Sequence, residues 1–373
     1  MLRRLPITAP PATGETIKSF LQRLATLNGI DYPELWGWVS EPETIGKARR
    51  IIVGPRLADL TGYPADRLGQ ALPELRKGLD WQLLRDVPQH SCPKCAARHP
   101  GGQVMRLFAL HHYACRRHGY WIGPPDVGEG PCLPHLHELP EILQAQRRHN
   151  RLVRERGPIP AFDGIIHAFR ILAGLWRGGP EETYGTSQWW QWDRRLDVLI
   201  PKQQSAALFS HSRCYAAIYP EAVTIASLLA SPFWRTKATF PFGDPDTDDR
   251  WDFTEEFGRR LGIEEYYPEN PQHPVHLWAD HHATLPPIRP AKVFPDRRRL
   301  SSDGTAKTDR RAIDSHHKSA VIFAKRRYAA NALTYHHHTM APVIDTYMDR
   351  PGPYARQRMR LAADASHHSE MEE

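Results

Sequence analysis

The sequence predicts a mainly α-helical protein with more than one domain. Several segments repeat apolar residues at i, i+3, i+4 and i+7, which is the spacing of the buried face of a helix. No ordered series of alternating strands accompanies them, and proline and glycine stand at the ends of the helical segments. At 373 residues the chain is long enough for two or three domains, each with its own core.

Composition and charge narrow the class of protein only modestly. The net charge is +7 and 40 % of the residues are hydrophobic, which is a mild bias toward polyanionic partners. Five cysteines, a small and odd number, fit a reducing compartment better than a disulfide framework. The chain shows neither an apolar run of about 18 residues nor a charged-then-apolar leader. We therefore expect a cytoplasmic protein that does not enter a membrane.

The first helix is expected to follow Thr13 as its N-cap, with Glu15 in the first turn and Gly29 at its end. Its apolar face has helical spacing and consists of Ile17, Phe20, Leu21 and Leu24. The next segment, 32–39, adds aliphatic and aromatic side chains to the same small core, namely Leu35, Trp36 and Trp38.

Residues 57–72 carry the offsets of a helix-turn-helix. Ala58 is small where the two helices would touch, Gly62 can take the positive φ of the turn, and Leu68 would anchor the second helix. That helix would begin near Pro64. Two side chains would then point outward, toward a DNA groove if one is bound: Arg67 and Gln70. An ordinary helical hairpin in an all-α domain would show the same pattern.

Two short ligand pairs predict a metal site. Cys92 and Cys95 form C-x2-C, and nineteen residues later Cys115 and His118 form C-x2-H. Four such ligands complete a tetrahedral zinc site and leave no position for water, so we expect one structural Zn²⁺. The ion should be needed to fold residues 85–157, which lack a large apolar core. Three cations between the ligands are expected to favour the thiolate form: Lys94, Arg116 and Arg117.

A basic helix is predicted from Pro140 to about Arg156, closed by Gly157. Its apolar residues form one narrow stripe, so the rest of its surface would be exposed and basic. The residues of that face are Arg147, Arg148, His149, Arg151, Arg154 and Arg156. We expect four of them to meet DNA phosphates, namely Arg147, Arg148, Arg151 and Arg154.

The chain continues, after a glycine–proline loop at 178–180, with a tryptophan-rich stretch whose side chains could form either core or an interface patch: Trp189, Trp190 and Trp192. Pro220 is expected to open a helix over 219–235, with a buried face of Ala222, Ile225, Ala226 and Leu229. Residues 241–300 are predicted to be irregular. Their acidic group is interpreted as a solvated turn and not a metal site: Asp244, Asp246, Asp248 and Asp249.

The basic surplus lies near the end of the chain. Residues 292–360 contain fifteen Lys/Arg and six Asp, which gives +9, whereas residues 361–373 carry −4 and residues 1–291 only +2. We predict a flexible basic arm with one helix near 319–335. Such an arm can neutralise DNA phosphates without reading sequence; a solvated, partly disordered tail would have the same composition.

These elements suggest four regions along the chain. A helical region with the helix-turn-helix spans 1–84, and the zinc module with the basic helix spans 85–157. A helical second domain follows over 158–290, and the basic, partly disordered tail covers 291–373.

Three blocks of the sequence resemble the TniQ family of transposition-associated proteins. The segment 14–25, Gly-Glu-Thr-Ile-Lys-Ser-Phe-Leu-Gln-Arg-Leu-Ala, looks like the opening of TniQ proteins. The metal span is similar to the family's Cys-Pro-x-Cys and Cys-x-x-His-Gly, and the helix from Leu139 to His149 resembles the segment that follows in actinobacterial-type members. The likeness covers roughly residues 5–157, with 219–235 as a weaker echo.

One departure from the family concerns the metal ligands. Many TniQ proteins have another Cys-Pro-x-Cys pair after the first site, whereas this chain offers only Cys132, followed by His135 and His137. We interpret Cys132 as a spare residue; the alternative is a replaced ligand.

The resemblance implies a helical, zinc-containing accessory protein of DNA transposition. TniQ proteins carry helix-turn-helix modules and act as target-site or assembly factors beside a DDE transposase and an AAA+ ATPase. The expected partners are therefore DNA and these transposition proteins, in the cytoplasm at the nucleoid, with homodimerisation left open. No membrane partner is expected.

Two other functions fit the same residues. The chain could be a protein–protein adaptor that links a targeting complex, such as a CRISPR effector, to transposition proteins without reading DNA sequence. It could also be a zinc-containing transcriptional regulator. An enzyme is not expected, because the sequence has no P-loop, no nucleophile elbow and no strand pattern of an RNase-H-like sheet around three carboxylates.

Overall fold

The computed structural model describes these residues: 3–43, 50–85, 88–123, 133–178, 186–199, 211–240, 249–263, 266, 268, 270–271, 273–287 and 289. Within them the chain is mostly helical, with three small two-stranded sheets. The mainly α fold class is therefore confirmed. The predicted basic tail and its helix near 319–335 lie outside the described residues.

The chain divides into two compact units at Leu133 and Pro134. Unit 1 precedes this point, and unit 2 follows it to Ala291. The basic helix at 140–156 therefore belongs to unit 2, whereas the sequence grouped it with the metal module over 85–157. The basic helix follows the metal module closely in sequence, but closeness in sequence does not show which core a helix packs against.

Unit 1 opens with helices α1 (Ile17–Asn28) and α2 (Tyr32–Val39), a hairpin of β1 (Ser40–Pro42) and β2 (Arg50–Ile52), and helices α3 (Gly54–Thr61) and α4 (Ala65–Ala71). All four helices or their ends contribute side chains to one core: Phe20, Leu21, Leu24, Leu35, Val39, Leu57, Leu60, Leu68 and Leu72. The buried face of α1 is the one that the apolar spacing predicts.

The start of α1 differs from the prediction. Thr16 is the N-cap, and its hydroxyl oxygen accepts a hydrogen bond from the Ser19 N–H at 3.2 Å. The prediction that Thr13 caps the helix and that Glu15 lies in its first turn is wrong, because the Glu15 carboxylate is drawn into a buried ion pair before the helix begins. Gly29 ends α1 in the left-handed conformation, as predicted.

Helices α3 and α4 form a hairpin about Gly62. Gly62 has φ +71°, and its N–H donates to the Ala58 carbonyl at 2.7 Å. A Cβ at this position would lie 2.5 Å from the guanidinium of Arg4, an exposed side chain that can move aside, so the turn requires glycine for its φ. Leu68 is fully buried and anchors α4, as expected of a helix-turn-helix.

The remainder of unit 1 is a small module of turns and short strands. Strand β3 (Gln89–His90) pairs antiparallel with β4 (Met105–Arg106), and helix α5 (Pro93–Ala96) lies between them in sequence. Strand β5 (Ala114–Cys115) pairs antiparallel with β6 (Tyr120–Trp121).

Unit 2 is built from helices around a central one. Its elements are α6 (Pro140–Arg156), α7 (Pro158–Gly178), α8 (Thr186–Leu199), α9 (His211–Leu229), α10 (Pro232–Ala238), α11 (Asp249–Leu261) and α12 (Pro274–His282). Helix α9 packs against α6, α7, α8, α10 and α11, and α12 packs against α7 and α10.

Helix α7 is the most apolar of these. The stretch Pro158–Trp176 is long and apolar enough to span a membrane, with a mean hydropathy of 1.2, but 83 % of it is buried. The pair Ser212–Leu229 and Pro232–Ala238 passes the same test only as a span bent by 82°. The burial of α7 is that of a core helix.

Two helical segments of unit 2 correct the sequence prediction. Helix α9 begins at His211 and passes through Pro220, which does not open it. The predicted buried face from Ala222 to Leu229 is buried. The interval 241–300 is not wholly irregular, since it contains α11 and α12. The apolar spacing of α11 was not recognised in the sequence because many proline and aspartate residues flank it. The buried residues of α11 include Phe253, Phe257 and Leu261.

The tryptophan stretch and the acidic group are only partly described. Trp192 is fully buried and donates its indole N–H to Glu221 at 3.1 Å, which is a core position. The side chains of Trp189 and Trp190 lie outside the described residues, as do Asp244, Asp246 and Asp248. Asp249 is the first residue of α11 and pairs with the Lys237 ammonium at 2.5 Å.

Candidate metal centre

Two turns of the same design present the four predicted ligands. In the first knuckle (92–95), the Cys92 carbonyl accepts the N–H groups of Cys95 and Ala96, both at 2.9 Å. In the second knuckle (115–118), the Cys115 carbonyl accepts the N–H groups of His118 and Gly119, at 3.2 and 2.8 Å. In each turn, these hydrogen bonds to the carbonyl of the first ligand fold the chain back. The two ligand side chains therefore lie on the same side.

The four ligand atoms converge on one point. They all lie within 4.8 Å of one another. The Nδ1 atom of His118 is 3.2 Å from the Cys95 sulfur, 3.5 Å from that of Cys92 and 3.8 Å from that of Cys115. A tetrahedral site with metal–sulfur bonds of about 2.3 Å has edges of about 3.8 Å. The arrangement therefore fits a tetrahedral metal ion.

The local core around the site is small. Cys92, Phe108 and Ile122 are its buried members, and partly buried side chains surround them, namely Cys95, Cys115, Tyr120 and Leu133. Two of the ligands thus take the place of apolar side chains at the edge of this cluster. An ion that crosslinks the two knuckles would add to the cohesion of this small cluster.

The ionisation of the cysteine ligands depends on whether a metal ion is bound. Burial, together with the neighbouring thiols, raises the pKa of Cys92 to about 12 and also raises the pKa of Cys95. Desolvation and nearby cations, Arg117 first among them, lower the pKa of His118. The imidazole is therefore neutral and ready to bind a metal, whereas the thiols need a cation at the centre before they ionise.

This result corrects the expectation that Lys94, Arg116 and Arg117 favour the thiolates. These three side chains are exposed, and the charges of Arg117 and Lys94 act on the His118 imidazole, whose pKa they lower. The cation that lowers the pKa of Cys95 is instead Arg106 on β4. Its guanidinium lies over the Phe108 ring at 5.0 Å, and burial lowers its own pKa. Three thiolates and a divalent ion carry a net charge of −1, which Arg106 would offset.

A buried network attaches the metal module to α1. The Glu15 carboxylate accepts hydrogen bonds from Arg23 Nε and Nη2, both at 2.8 Å, and from the Ser19 hydroxyl at 2.9 Å. Arg23 also donates to the Pro100 carbonyl at 2.8 Å, and Ser19 Oγ accepts the Met105 N–H at 2.9 Å. This network therefore holds the segment 14–25 and the metal module together.

Sequence reasoning did not assign this role to Glu15, Ser19 and Arg23. The available signal was the spacing of the three residues at i, i+4 and i+8, which places Ser19 and Arg23 on one face of a helix with Glu15 just before it. A charged residue on the apolar side of an amphipathic helix indicates a buried partner.

The two helix-turn-helix side chains predicted to reach DNA are exposed. Arg67 stacks on the ring of Tyr63, with the guanidinium carbon 5.1 Å from the ring centre, and Gln70 lies one turn further on. Helix α4 spans seven residues, and Asp66 lies in its first turn. An acidic residue there opposes phosphate at the helix N-terminus, so any contact by α4 runs through Arg67 and Gln70.

Helix α6 exposes the four arginines predicted to meet phosphates: Arg147, Arg148, Arg151 and Arg154. Residues 147, 151 and 154 are spaced i, i+4 and i+7, so they form one stripe about 10 Å long. Among the described residues no carboxylate forms a salt bridge with this stripe. Arg148 lies to the side and donates to the Pro220 carbonyl at 3.3 Å.

His149 does not belong to the exposed basic face, contrary to the prediction. It is 1 % exposed, and its Nδ1 lies 3.0 Å from the Tyr219 hydroxyl. That hydroxyl also donates to Gln146 at 3.2 Å. These polar residues fasten α6 to α9, and their position opposite the arginine stripe explains why the stripe faces away from the core.

Cys132 lies outside the described residues. Its neighbours His135 and His137 are exposed and contact each other through their Nδ1 atoms at 3.0 Å. Both belong to unit 2, whereas the four-ligand group lies wholly in unit 1.

Comparison of the chain with protein-family models, with curated proteins and with solved structures finds no match.

Proposed function

We propose that this protein is a DNA-binding accessory factor of DNA transposition, similar to TniQ proteins, which selects or marks a target beside an AAA+ ATPase and a transposase. The arginine stripe of α6 is the observation that carries DNA binding, and the role in transposition rests on the sequence resemblance. It presents three aligned guanidiniums without a carboxylate partner in the described part of the chain. Phosphate oxygens of a duplex bind such side chains without a pocket.

One structural zinc ion completes the proposal for unit 1. Three thiolates and an imidazole at tetrahedral distances are the ligands that zinc prefers in proteins. All four positions belong to the protein, so the ion would hold the two knuckles together and would bind no substrate. Arg67 and Gln70 on α4 are proposed to reach base edges, while Arg147, Arg148, Arg151 and Arg154 meet phosphates.

Salt-dependent binding to random-sequence duplex DNA tests the DNA function. Changing Arg147, Arg151 and Arg154 to Gln should weaken binding to all sequences, because phosphate contacts carry no sequence information. The slope of log K against log salt should become shallower by about 0.9 for each lost contact. Arg259→Gln is the control, since this exposed arginine of α11 pairs with Glu256 at 2.6 Å.

An unchanged slope in the triple variant would refute the proposed phosphate contacts and would assign the stripe to a protein interface. That outcome favours the second candidate, an adaptor that links a targeting complex to transposition proteins. One observation supports the adaptor independently. Phe233 on α10 is 60 % exposed and stacks edge-on against Trp234, which is an arrangement typical of protein contacts.

We also propose that the chain is not the catalyst of strand transfer. The purified protein with DNA and Mg²⁺ or Mn²⁺ should neither nick nor join strands. Alanine at the acidic group should leave its function in a complete transposition assay largely intact: Asp244, Asp246, Asp248 and Asp249. Asp249 already has Lys237 as its partner. Metal-dependent cleavage that one of these changes abolishes would refute this proposal.

A further inference from the structure

The metal module contains no carboxylate. Residues 88–123 include five Lys/Arg and no Asp or Glu, which gives a net charge of +5 in a chain whose total is +7. A divalent ion with three thiolates would change this only to +4. A stretch of this length in an average protein has about one quarter charged residues of both signs. Residues 88–123 therefore supply no carboxylate of their own to compensate their positive charge.

Four of the five cations are exposed and lie on or beside the knuckles. We name this surface the knuckle face, and its residues are Lys94, Arg98, Arg116 and Arg117. Lys94 lies between the ligands of the first knuckle, and Arg116 and Arg117 lie between those of the second. Because the ligand atoms lie within 4.8 Å of one another, these side chains are grouped around one centre. No described carboxylate forms a salt bridge with any of the four.

We propose that the knuckle face binds the phosphate backbone of duplex DNA. Four like charges grouped around one centre repel one another, and a polyanion that spans them relieves this repulsion while releasing its own counterions. These side chains are assigned to phosphate oxygens, so their contact would carry no sequence information. The inference rests on the proposed function, since it takes the polyanion to be DNA, and it adds a contact surface in unit 1.

The test compares charge-neutralised pairs in the metal-loaded full chain. The first variant is Arg116→Gln with Arg117→Gln, the second is Lys94→Gln with Arg98→Gln, and the control is Arg3→Gln with Lys77→Gln. The control pair removes the same charge from exposed positions of unit 1. Metal content and melting temperature show whether a variant still binds the metal ion. A variant that has lost the ion is replaced in the test by Arg98→Glu, because Arg98 lies outside both ligand pairs.

Each knuckle pair should reduce the salt slope for random-sequence duplex DNA by about two, and the control should leave it unchanged. Equal losses in the knuckle and control pairs would overturn the inference, because bulk charge would explain both. Tighter binding of an RNA duplex that depends on the knuckle face would overturn the choice of DNA. DNA binding that depends on the α6 arginines alone refutes only this inference, whereas no salt-dependent DNA binding by the wild type refutes the proposed function itself.

Discussion

Glu15 and Arg23 form an ion pair that water does not reach, with side chains 0 % and 1 % exposed. The pair is held by further contacts, since Glu15 also accepts the Ala12 N–H and Arg23 donates to carbonyls at Pro10 and Pro100. Removing one partner of such a pair leaves the other charge buried, which costs more than the pair itself contributes. The stability of unit 1 should therefore depend strongly on Glu15.

Glu15→Gln should lower the free energy of unfolding by roughly 3–5 kcal/mol, because Arg23 keeps its charge and loses its counterion. Glu41→Gln is the matched control. Glu41 pairs with Arg56 at 3.4 Å, but the two side chains are 47 % and 43 % exposed, so its loss should cost less than about 1 kcal/mol. Urea unfolding of both variants measures the difference, and equal small effects would show that the buried pair is dispensable.

The buried carboxyl of Asp193 on α8 should make the stability of unit 2 depend on pH. Burial raises the pKa of its carboxyl from 3.8 to about 6, although the Trp176 indole N–H donates to it at 3.2 Å. A raised pKa in the folded state means that the protonated form is favoured there. The stabilising contribution is complete below about pH 4 and is lost as pH rises through about 6.

Asp193→Asn should therefore raise the free energy of unfolding near pH 7 by up to about 2–3 kcal/mol, because the variant buries no charge. Near pH 4 the gain should vanish, and the amide oxygen still accepts the bond from Trp176. Urea unfolding at the two pH values checks this, with the exposed Asp59→Asn as control. A gain of the same size at both pH values would contradict the charge-based explanation.

At the scale of elements, the hairpin of α3 and α4 depends on the backbone conformation of one glycine. Gly62→Ala should lower the free energy of unfolding by about 1–2 kcal/mol, because its φ of +71° is strained for a residue with a Cβ. Gly37→Ala in α2 is the control, since a Cβ added there would have no other atom within 4 Å. This change should be neutral or stabilising by up to about 1 kcal/mol. Thermal melting distinguishes the two, and similar losses would contradict the prediction.

Helix α6 shows how one element divides its tasks between two faces. Gln146 and His149 bind Tyr219 of α9 on the buried side, while the arginine stripe occupies the opposite side. The two faces can therefore be altered separately. Changes in the stripe should affect DNA binding without loss of stability, and the comparison of binding slope with melting temperature separates the two effects.

At the scale of the whole molecule, the two units should respond differently to metal. All four ligands lie in unit 1, and α6 belongs to unit 2. Cys115→Ser should reduce the bound metal from about one ion per chain to near zero and should expose the amides of residues 88–123 to hydrogen exchange. The amides of α6 should stay protected. This narrows the span that the sequence assigned to the metal, 85–157.

The control for the metal prediction is Cys214→Ala. Cys214 lies buried in α9 of unit 2, so this change should leave the metal content unaltered even if it lowers stability. A Cys115→Ser protein with full metal content, or one that melts like the wild type, would contradict the four-ligand site. Exchange that increases equally in α6 would contradict the independence of the two units.

The sequence by itself determined the local features. Apolar spacing predicted the buried face of α1, and glycine predicted the ends of α1, α3 and α6, because both depend on residues within a few positions of one another. The ligand spacing predicted which four side chains share a centre, since each knuckle is a single turn.

Only the tertiary structure decided the features that depend on distant residues. Glu15 lies before helix α1 because Arg23 and the metal module bind it. His149 is buried because it contacts Tyr219 of α9, and this contact joins α6 to unit 2. Each partner lies beyond the reach of a local pattern, and burial gives a charged or polar side chain its role only when the partner is in place. The lack of carboxylates in residues 88–123 could be counted in the sequence, but the convergence of the two knuckles on one centre required the fold.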